Sequence, residues 1–320
     1  MSEAPRVQPR PWIEAFAPAT VSNLGPGFDC LGLALRSRGD TVRARRRDDA
    51  GVALLRVTGD GGALPCDARN TAAVAAAALL AAHAPHAGVE LELDKGLPLG
   101  SGLGSSGASA AAAVVAVDAA LALGLPATAL VEAARAGEAA ACGAGHPDNV
   151  APAIVGGIVL IPSLSPLRLV SLPTPPSMWL AIYTPGCQVP TATARAVLPA
   201  AVSLAACVQQ AARLALLVHG LHERDLSLVG EAITDDIVEP ARAGLIPGYL
   251  DAKAACCEAG AIACSISGAG PTTFAMTADR GRAEALLGLL DEAFTAAGVA
   301  GRGFVDQVGG GARVISAVLH

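Results

Sequence analysis

One glycine-rich stretch that opens a long alanine helix limits this chain more than any other feature. From Lys95 to Val117 it reads KGLPLGSGLGSSGASAAAAVVAV. Gly100, Gly102, Gly104 and Gly107 surround Ser105 and Ser106, and neither Gly nor Pro interrupts Ala108 to Leu123, so the latter run reads as a buried helix. The first N–H groups of a helix have no intrahelical acceptor, and the helix dipole favours negative charge beside them. Glycines let those groups come close to an anion, so the stretch is expected to hold phosphate. It is not a Walker A loop, because no Lys follows the glycines. Gly102 to Gly107 fits G-x-G-x-x-G, but the context of a dinucleotide fold is missing. The strand expected at Val89–Leu93 ends too early for a tight strand–turn–helix. About twenty residues beyond Gly107 the chain starts another helix, where a strand ending in an acid would be required.

The 320 residues suffice for two modest domains with real cores. With 52 % hydrophobic but only 3 % aromatic residues, those cores are built from small aliphatic side chains. A net charge of −6 offers no general attraction to nucleic acid or to membrane surfaces. The basic run Arg43, Arg45, Arg46 and Arg47 is followed at once by Asp48 and Asp49, and reads as a solvated strand edge and turn. Eight cysteines form no C-x-x-C pair, and the first residues hold no apolar signal segment, so reduced thiols in a cytoplasmic protein are expected. The apolar runs Ala72–Ala82 and Ala108–Leu123 are too short to span a bilayer.

Polar residues gather at a few places. Asn23 and Asp29 flank a Gly-Pro-Gly turn between two apolar segments, where they serve either as turn caps or as ligands on one side of a hairpin. Asn70 precedes the Ala72–Ala82 helix and suits an N-cap. Thr128 is expected to cap a helix from Ala129 to Ala141 that carries Glu138 among alanines. A carboxylate in such surroundings is either exposed or partnered. Mg²⁺ on ATP phosphates would be one partner, with Ser106 as a second hard oxygen. His146, Asp148 and Asn149 crowd a Gly- and Pro-flanked segment, read as a loop before an apolar strand pair. Pro162 to Pro176 reads as a domain junction, giving domains at 1–163 and 164–320. Arg195 follows a Thr-rich turn, and Arg242 sits between Pro240 and Pro247; two arginines can clamp a carboxylate through bidentate bonds.

These strings resemble the GHMP kinase superfamily. Pro98-Leu-Gly-Ser-Gly102-Leu-Gly-Ser-Ser-Gly107 is similar to its second motif, departing only in Gly107 where Ala is usual. Ala17 to Asp29 resembles the first motif in its homoserine kinase form, and Ser267-Gly-Ala-Gly-Pro-Thr272 the third. His146-x-Asp148-Asn149-Val-Ala-Pro152, Thr191-x-x-x-Arg195 and the segment around Arg242 are similar to homoserine kinases in particular. The resemblance spans nearly the whole chain. It implies an α+β fold, with a ribosomal-protein-S5 domain 2-like ATP-binding domain followed by a ferredoxin-like domain. It implies phosphorylation of L-homoserine by ATP with Mg²⁺, and dimerisation is common in the superfamily. By resemblance, Asn70, Lys95 and the loop Pro98, Leu99, Gly100, Ser101, Gly102, Leu103, Gly104, Ser105 and Ser106 hold the nucleotide, and Ser106 and Glu138 hold the metal. Asn23, Asp29, His146, Arg195 and Arg242 are expected to bind the amino acid, with Asp29, Asp148 or both facing its ammonium. Asn149 is expected near the hydroxyl, and Asn149, Asp148 and Glu138 make up the catalytic set.

Overall fold

The computed structural model describes residues 10–143 and 145–318. In chain order the elements are β1 (Trp12–Ser22), β2 (Leu31–Arg47), β3 (Gly51–Thr58), α1 (Thr71–His83), β4 (Gly88–Asp94), α2 (Ser105–Leu121), α3 (Ala127–Cys142) and α4 (Pro147–Val155). There follow β5 (Ile158–Leu164), β6 (Leu167–Leu172), β7 (Trp179–Thr184), α5 (Thr191–Ala196), α6 (Leu204–Glu223), α7 (Leu226–Ala232), α8 (Val238–Ala243) and α9 (Tyr249–Glu258). The chain closes with β8 (Ala263–Ile266), β9 (Thr273–Thr277), α10 (Arg280–Ala296), β10 (Arg302–Gln307) and β11 (Arg313–Val318). The architecture is α+β.

Two sheets organise these elements. The first has seven strands, ordered β11-β1-β2-β4-β3, with β5 and β6 joined to β2; the second has four, ordered β10-β7-β9-β8. Alanine-rich α1, α2 and α3 pack together beside the first sheet and close a core of Ala, Val and Leu. Because most facing residues are alanine, the α2 backbone lies close to its neighbours. A second core joins the two halves, with Val21, Leu31 and Leu33 meeting Leu180, Ile182 and Phe274. A third, holding the stacked rings of Tyr183 and Phe294, lies between the second sheet and α9 and α10.

Several local expectations change. The Arg43–Arg47 run is in β2, an interior strand between β1 and β4. Its cations are tolerated because Arg43 pairs with Glu14 and Arg45 with Glu90 on the flanking strands. Pro126 precedes the first residue of α3 and no side chain caps it, so Thr128 lies inside the first turn. The expected boundary at 163/164 falls within the β5–β6 hairpin, which remains in the first sheet, and β11 returns to pair with β1. Helix α6 has 20 residues, and its most apolar 18-residue window has a mean hydropathy of 1.3, enough by length and composition to cross a membrane. Leu217 and Leu221 near its end are buried in the core joining the two halves, whereas Leu204 and Val208 near its start are exposed.

Candidate active site

The loop between β4 and α2 forms one wall of a cavity of about 450 Å³. Gly100, Gly102 and Gly104 all adopt positive φ, which non-glycine residues reach only with strain. Gly104 is the N-cap of α2 and offers no side chain to the first turn. The first helical bond runs from Ala108 N–H to Gly104 O, so the N–H groups before it have no helical acceptor. An anion at this position would meet those donors and the positive end of the helix dipole.

The loop is braced from three sides. Thr20 N–H donates to Leu103 O at 3.0 Å, Ser267 Oγ to Gly102 O at 2.7 Å and Thr272 N–H to Ser101 O at 3.1 Å. From below, the Lys95 ammonium donates to Asp40 and Ser105 O, and to Ser105 Oγ and Ser109 Oγ at 2.7 and 2.9 Å. Asp40 in turn accepts from the N–H groups of Gly96 and Leu97. Burial pushes the Asp40 carboxyl up and the Lys95 ammonium down, each opposed by the other's charge. Lys95 is therefore engaged beneath the loop, although it also lines the cavity. Leu99, Gly100, Ser101, Gly102, Gly104, Ser105 and Ser106 line it too. Leu103 points into the core between the two halves, and Pro98 acts through its carbonyl, which accepts from Ser101 Oγ.

Replacement of Gly104 tests this geometry. A Cβ there would lie 2.0 Å from Thr20 Oγ1, on a backbone with φ +64. We expect Gly104→Ala to lower nucleotide affinity at least about tenfold and to destabilise the protein by about 1–3 kcal/mol, since a strained non-glycine position costs that much before any clash. Calorimetric titration with an ATP analogue and thermal melts read the two effects. Wild-type affinity in Gly104→Ala would contradict the close approach.

Beside the loop, α3 brings Glu138 into the lining of the cavity, where it is 7 % exposed. Ser106 Oγ donates to Glu138 Oε2 at 2.6 Å. Two hard oxygens in contact beside an anion site suit a cation that takes its remaining ligands from phosphate and water, as Mg²⁺ does. Asn70 caps α1, accepting from Ala72 N–H at 3.0 Å and donating to Pro65 O at 2.9 Å, and it also lines the cavity.

The far end of the cavity collects charges from both halves. Asp148 and Asn149 do not occupy a loop but the first turn of α4; His146 stays outside it as its N-cap, with Pro147 at the first helical position. Proline fits there because its absent N–H needs no partner, and a carboxylate gains from the dipole. The internal Pro152 and the flanking glycines hide this nine-residue helix in the sequence. Asp148 is 4 % exposed, and its Oδ1 is buried without a hydrogen-bond partner among the described residues. Burial, followed by the charges of Asp29 and Glu138, pushes its carboxyl up to about 7. His146 is held below its ordinary value, chiefly by burial.

Asn23, at φ 76, links two turns: its Nδ2 donates to Gly268 O at 3.2 Å and its Oδ1 accepts from Asp29 N–H at 3.3 Å. The Asp29 carboxylate takes both Arg195 Nη groups, at 3.1 and 2.7 Å, with His146 Nδ1 at 3.6 Å. Arg242, 3 % exposed, is held by backbone carbonyls: Nε donates to Ala194 O at 3.1 Å and Nη1 to Gly268 O at 2.8 Å. Both guanidinium groups lie over the Phe28 ring, 5.5 and 5.2 Å from its centroid. Asn23, Asp29, His146, Asp148, Asn149, Arg195 and Arg242 thus share one cavity with the phosphate loop.

Sequence reasoning did not single out Phe28, Thr20, Asp40 or Ser109. Ser109 had a signal, since it lies four residues after Ser105 and therefore on the same face of α2. Asp40 had none, because its role depends on a pairing across β2 and the loop after β4.

Residues 70–157 match the GHMP kinases N terminal domain and residues 217–295 the GHMP kinases C terminal region. A homoserine kinase of Chlorobium phaeobacteroides (strain DSM 266 / SMG 266 / 2430) is 41 % identical over 293 residues, 88 % of this chain and 92 % of that one. A homoserine kinase of Xanthomonas campestris pv. campestris (strain B100) is 40 % identical over 92 % of this chain and 91 % of its own length. The crystal structure of homoserine kinase from Cytophaga hutchinsonii ATCC 33406 superposes with a TM-score of 0.91 at 42 % identity, covering 95 % of this chain and 97 % of that one.

Proposed function

We infer, for a chain that belongs to the homoserine kinase family of the GHMP kinases, that it transfers the γ-phosphoryl group of ATP to the hydroxyl of L-homoserine. The product is O-phospho-L-homoserine, a step toward threonine. One observation carries the reading: a single cavity joins a helix N-terminus built for phosphate to a pocket with two arginines and a buried carboxyl. The first suits a polyphosphate and the second a small zwitterion.

The phosphates lie against the N–H groups at the start of α2, with the nucleoside toward Asn70 and Leu99. Ser106 and Glu138 would hold Mg²⁺, which would neutralise charge on the phosphate oxygens. Arg242 and Arg195 take the carboxylate of the amino acid. Asp148 takes its ammonium, because both Asp29 oxygens are already engaged by Arg195. Asn149, packed against Gly104 and Gly107, stands between the two ends near the reacting hydroxyl. The hydroxyl oxygen bonds to the γ-phosphorus as the bond to the ADP oxygen breaks, and the hydroxyl proton leaves on a phosphoryl oxygen and then to solvent. The transition state is loose, so position and charge stabilisation carry the rate without a general base.

The Asp148 carboxyl gives this reading a pH signature. Below about 7 it is protonated and cannot attract an ammonium, so KM for L-homoserine should rise as pH falls through that value, up to about tenfold per pH unit. KM for ATP should not follow. Stability runs the other way. The folded carboxyl keeps its proton up to about 7, whereas the unfolded one loses it near 3.8, so the free protein should lose stability as pH rises between those values, by at most about 4 kcal/mol. Asp148→Asn should abolish both trends in kinetics and in urea titrations at about pH 5 and about pH 8. A homoserine KM in the wild type that ignores pH would remove Asp148 from the ammonium site.

The function itself is tested by ADP release with Mg·ATP against L-homoserine, mevalonate, galactose, L-serine and no acceptor. Turnover confined to L-homoserine is expected. Turnover on another alcohol would keep the phosphate site and discard the amino-acid pocket.

A further inference from the structure

We propose that Thr20 is a positioning residue that fixes which end of the Asn149 amide faces the transferring phosphoryl group; this rests on the phosphotransferase reading above. Thr20 lies near the end of β1, where the register against β2 shifts between Pro18 and Thr20, and it is 0 % exposed. Its Oγ1 donates to Asn149 Oδ1 at 2.7 Å, and its N–H holds Leu103 O of the phosphate loop at 3.0 Å. One residue therefore binds the loop with its backbone and the first turn of α4 with its side chain. The pair occupies the space that a side chain on Gly104 would need, with Thr20 Oγ1 2.0 Å and Asn149 Oδ1 2.9 Å from a Cβ built there.

A primary amide can present either its oxygen or its NH₂. Here the choice is made by the buried hydroxyl. Among the described residues Asn149 Oδ1 is its one acceptor, and turning the amide over would bury the Thr20 proton without a partner. Oδ1 is thus tied back toward β1, and the half-buried Asn149 directs its Nδ2 donors into the cavity. Phosphoryl oxygens and the oxygen of an attacking hydroxyl both accept such donors. Asn149 therefore gives hydrogen bonds during transfer and takes no proton.

Thr20→Val keeps the shape and removes the donor; Thr20→Ser keeps the donor. Thr20→Val should lower kcat about tenfold, a fraction of what deleting a transition-state donor costs, with both KM values moving less than about threefold. Thr20→Ser should restore kcat to within about twofold, and Thr20→Val should add nothing to Asn149→Ala. A merely structural role would instead move KM for ATP and thermal stability together. A second readout needs no turnover. The chain has three asparagines, Asn23, Asn70 and Asn149, so ¹⁵N labelling of asparagine yields a short set of side-chain amide signals. Those of Asn149, identified by their loss in Asn149→Ala, should shift when Mg²⁺ and a non-hydrolysable ATP analogue are added to the wild type, and shift far less in Thr20→Val. Thr20→Cys, with its weak thiol donor, replaces the valine variant should that variant not fold. Wild-type kcat together with a wild-type amide shift in the donor-deficient variant would overturn the assignment. Wild-type turnover on some other alcohol, or on none, would count against the homoserine reading alone, because the amide shift is read without an acceptor.

Discussion

Replacing Glu138 with Gln should lower kcat for L-homoserine by about two to three orders of magnitude, because a bound cation supplies several kcal/mol of charge stabilisation in phosphoryl transfer. Gln keeps the length and one oxygen but removes the negative charge beside Ser106 in the lining of the cavity. The concentration of Mg²⁺ needed for half-maximal rate should rise together with the fall in kcat. KM for L-homoserine should change little, since Glu138 contacts the phosphate end. Ser106→Ala removes a neutral ligand that water can replace, so its loss should be smaller by about tenfold. The measurement is steady-state turnover at saturating ATP over a range of Mg²⁺. A Glu138→Gln enzyme within tenfold of wild type at ordinary Mg²⁺ would take this residue out of the metal site.

The second large effect belongs to the amino-acid end. Arg242→Ala should reduce kcat/KM for L-homoserine by about two to three orders of magnitude with KM for ATP nearly unchanged, the cost of leaving a buried charge without its partner. The two arginines are not equivalent. Arg195 already gives two bonds to the Asp29 carboxylate, so its charge is largely answered within the protein. Arg242 is held only by the carbonyls of Ala194 and Gly268 and has no ion pair within 4 Å among the described residues. Of the two arginines that meet the substrate carboxylate, Arg242 therefore brings the less answered charge, and Arg195→Ala should cost about tenfold less than Arg242→Ala. Arg242→Lys should recover little, because a single ammonium cannot keep both carbonyl bonds and still reach a ligand. Equal losses for ATP and L-homoserine in Arg242→Ala would show that the residue supports the fold and not the substrate.

Much of the site could be read in the sequence because its parts are local. The phosphate loop needs glycines at fixed spacing, and a helix must follow; Gly100, Gly102 and Gly104 with α2 meet that demand within one stretch. Asn70 could be placed as a cap because capping is a contact over two residues. What stayed hidden depends on distance along the chain. The Thr20–Asn149 bond joins residues 129 apart, and the Lys95–Asp40 pair joins residues 55 apart. Neither has a periodic or compositional trace. The arginine run in β2 misled because charge is usually a mark of solvent, whereas here Glu14 and Glu90 on the neighbouring strands answer it. The same holds for α4. Its proline at the first position fits a helix start, but Pro152 reads as a breaker until packing against α2, β1 and β2 is known.

Passage of a phosphoryl group from ATP to the hydroxyl of L-homoserine within one cavity can be watched as it happens. ³¹P NMR of the full-length protein with Mg·ATP and L-homoserine reads that transfer directly. The expected result is loss of the γ-phosphate signal, with equal appearance of ADP and of a phosphomonoester coupled to an adjacent CH₂ group. Loss of the γ-phosphate to inorganic phosphate alone, at the same rate with and without L-homoserine, would contradict it.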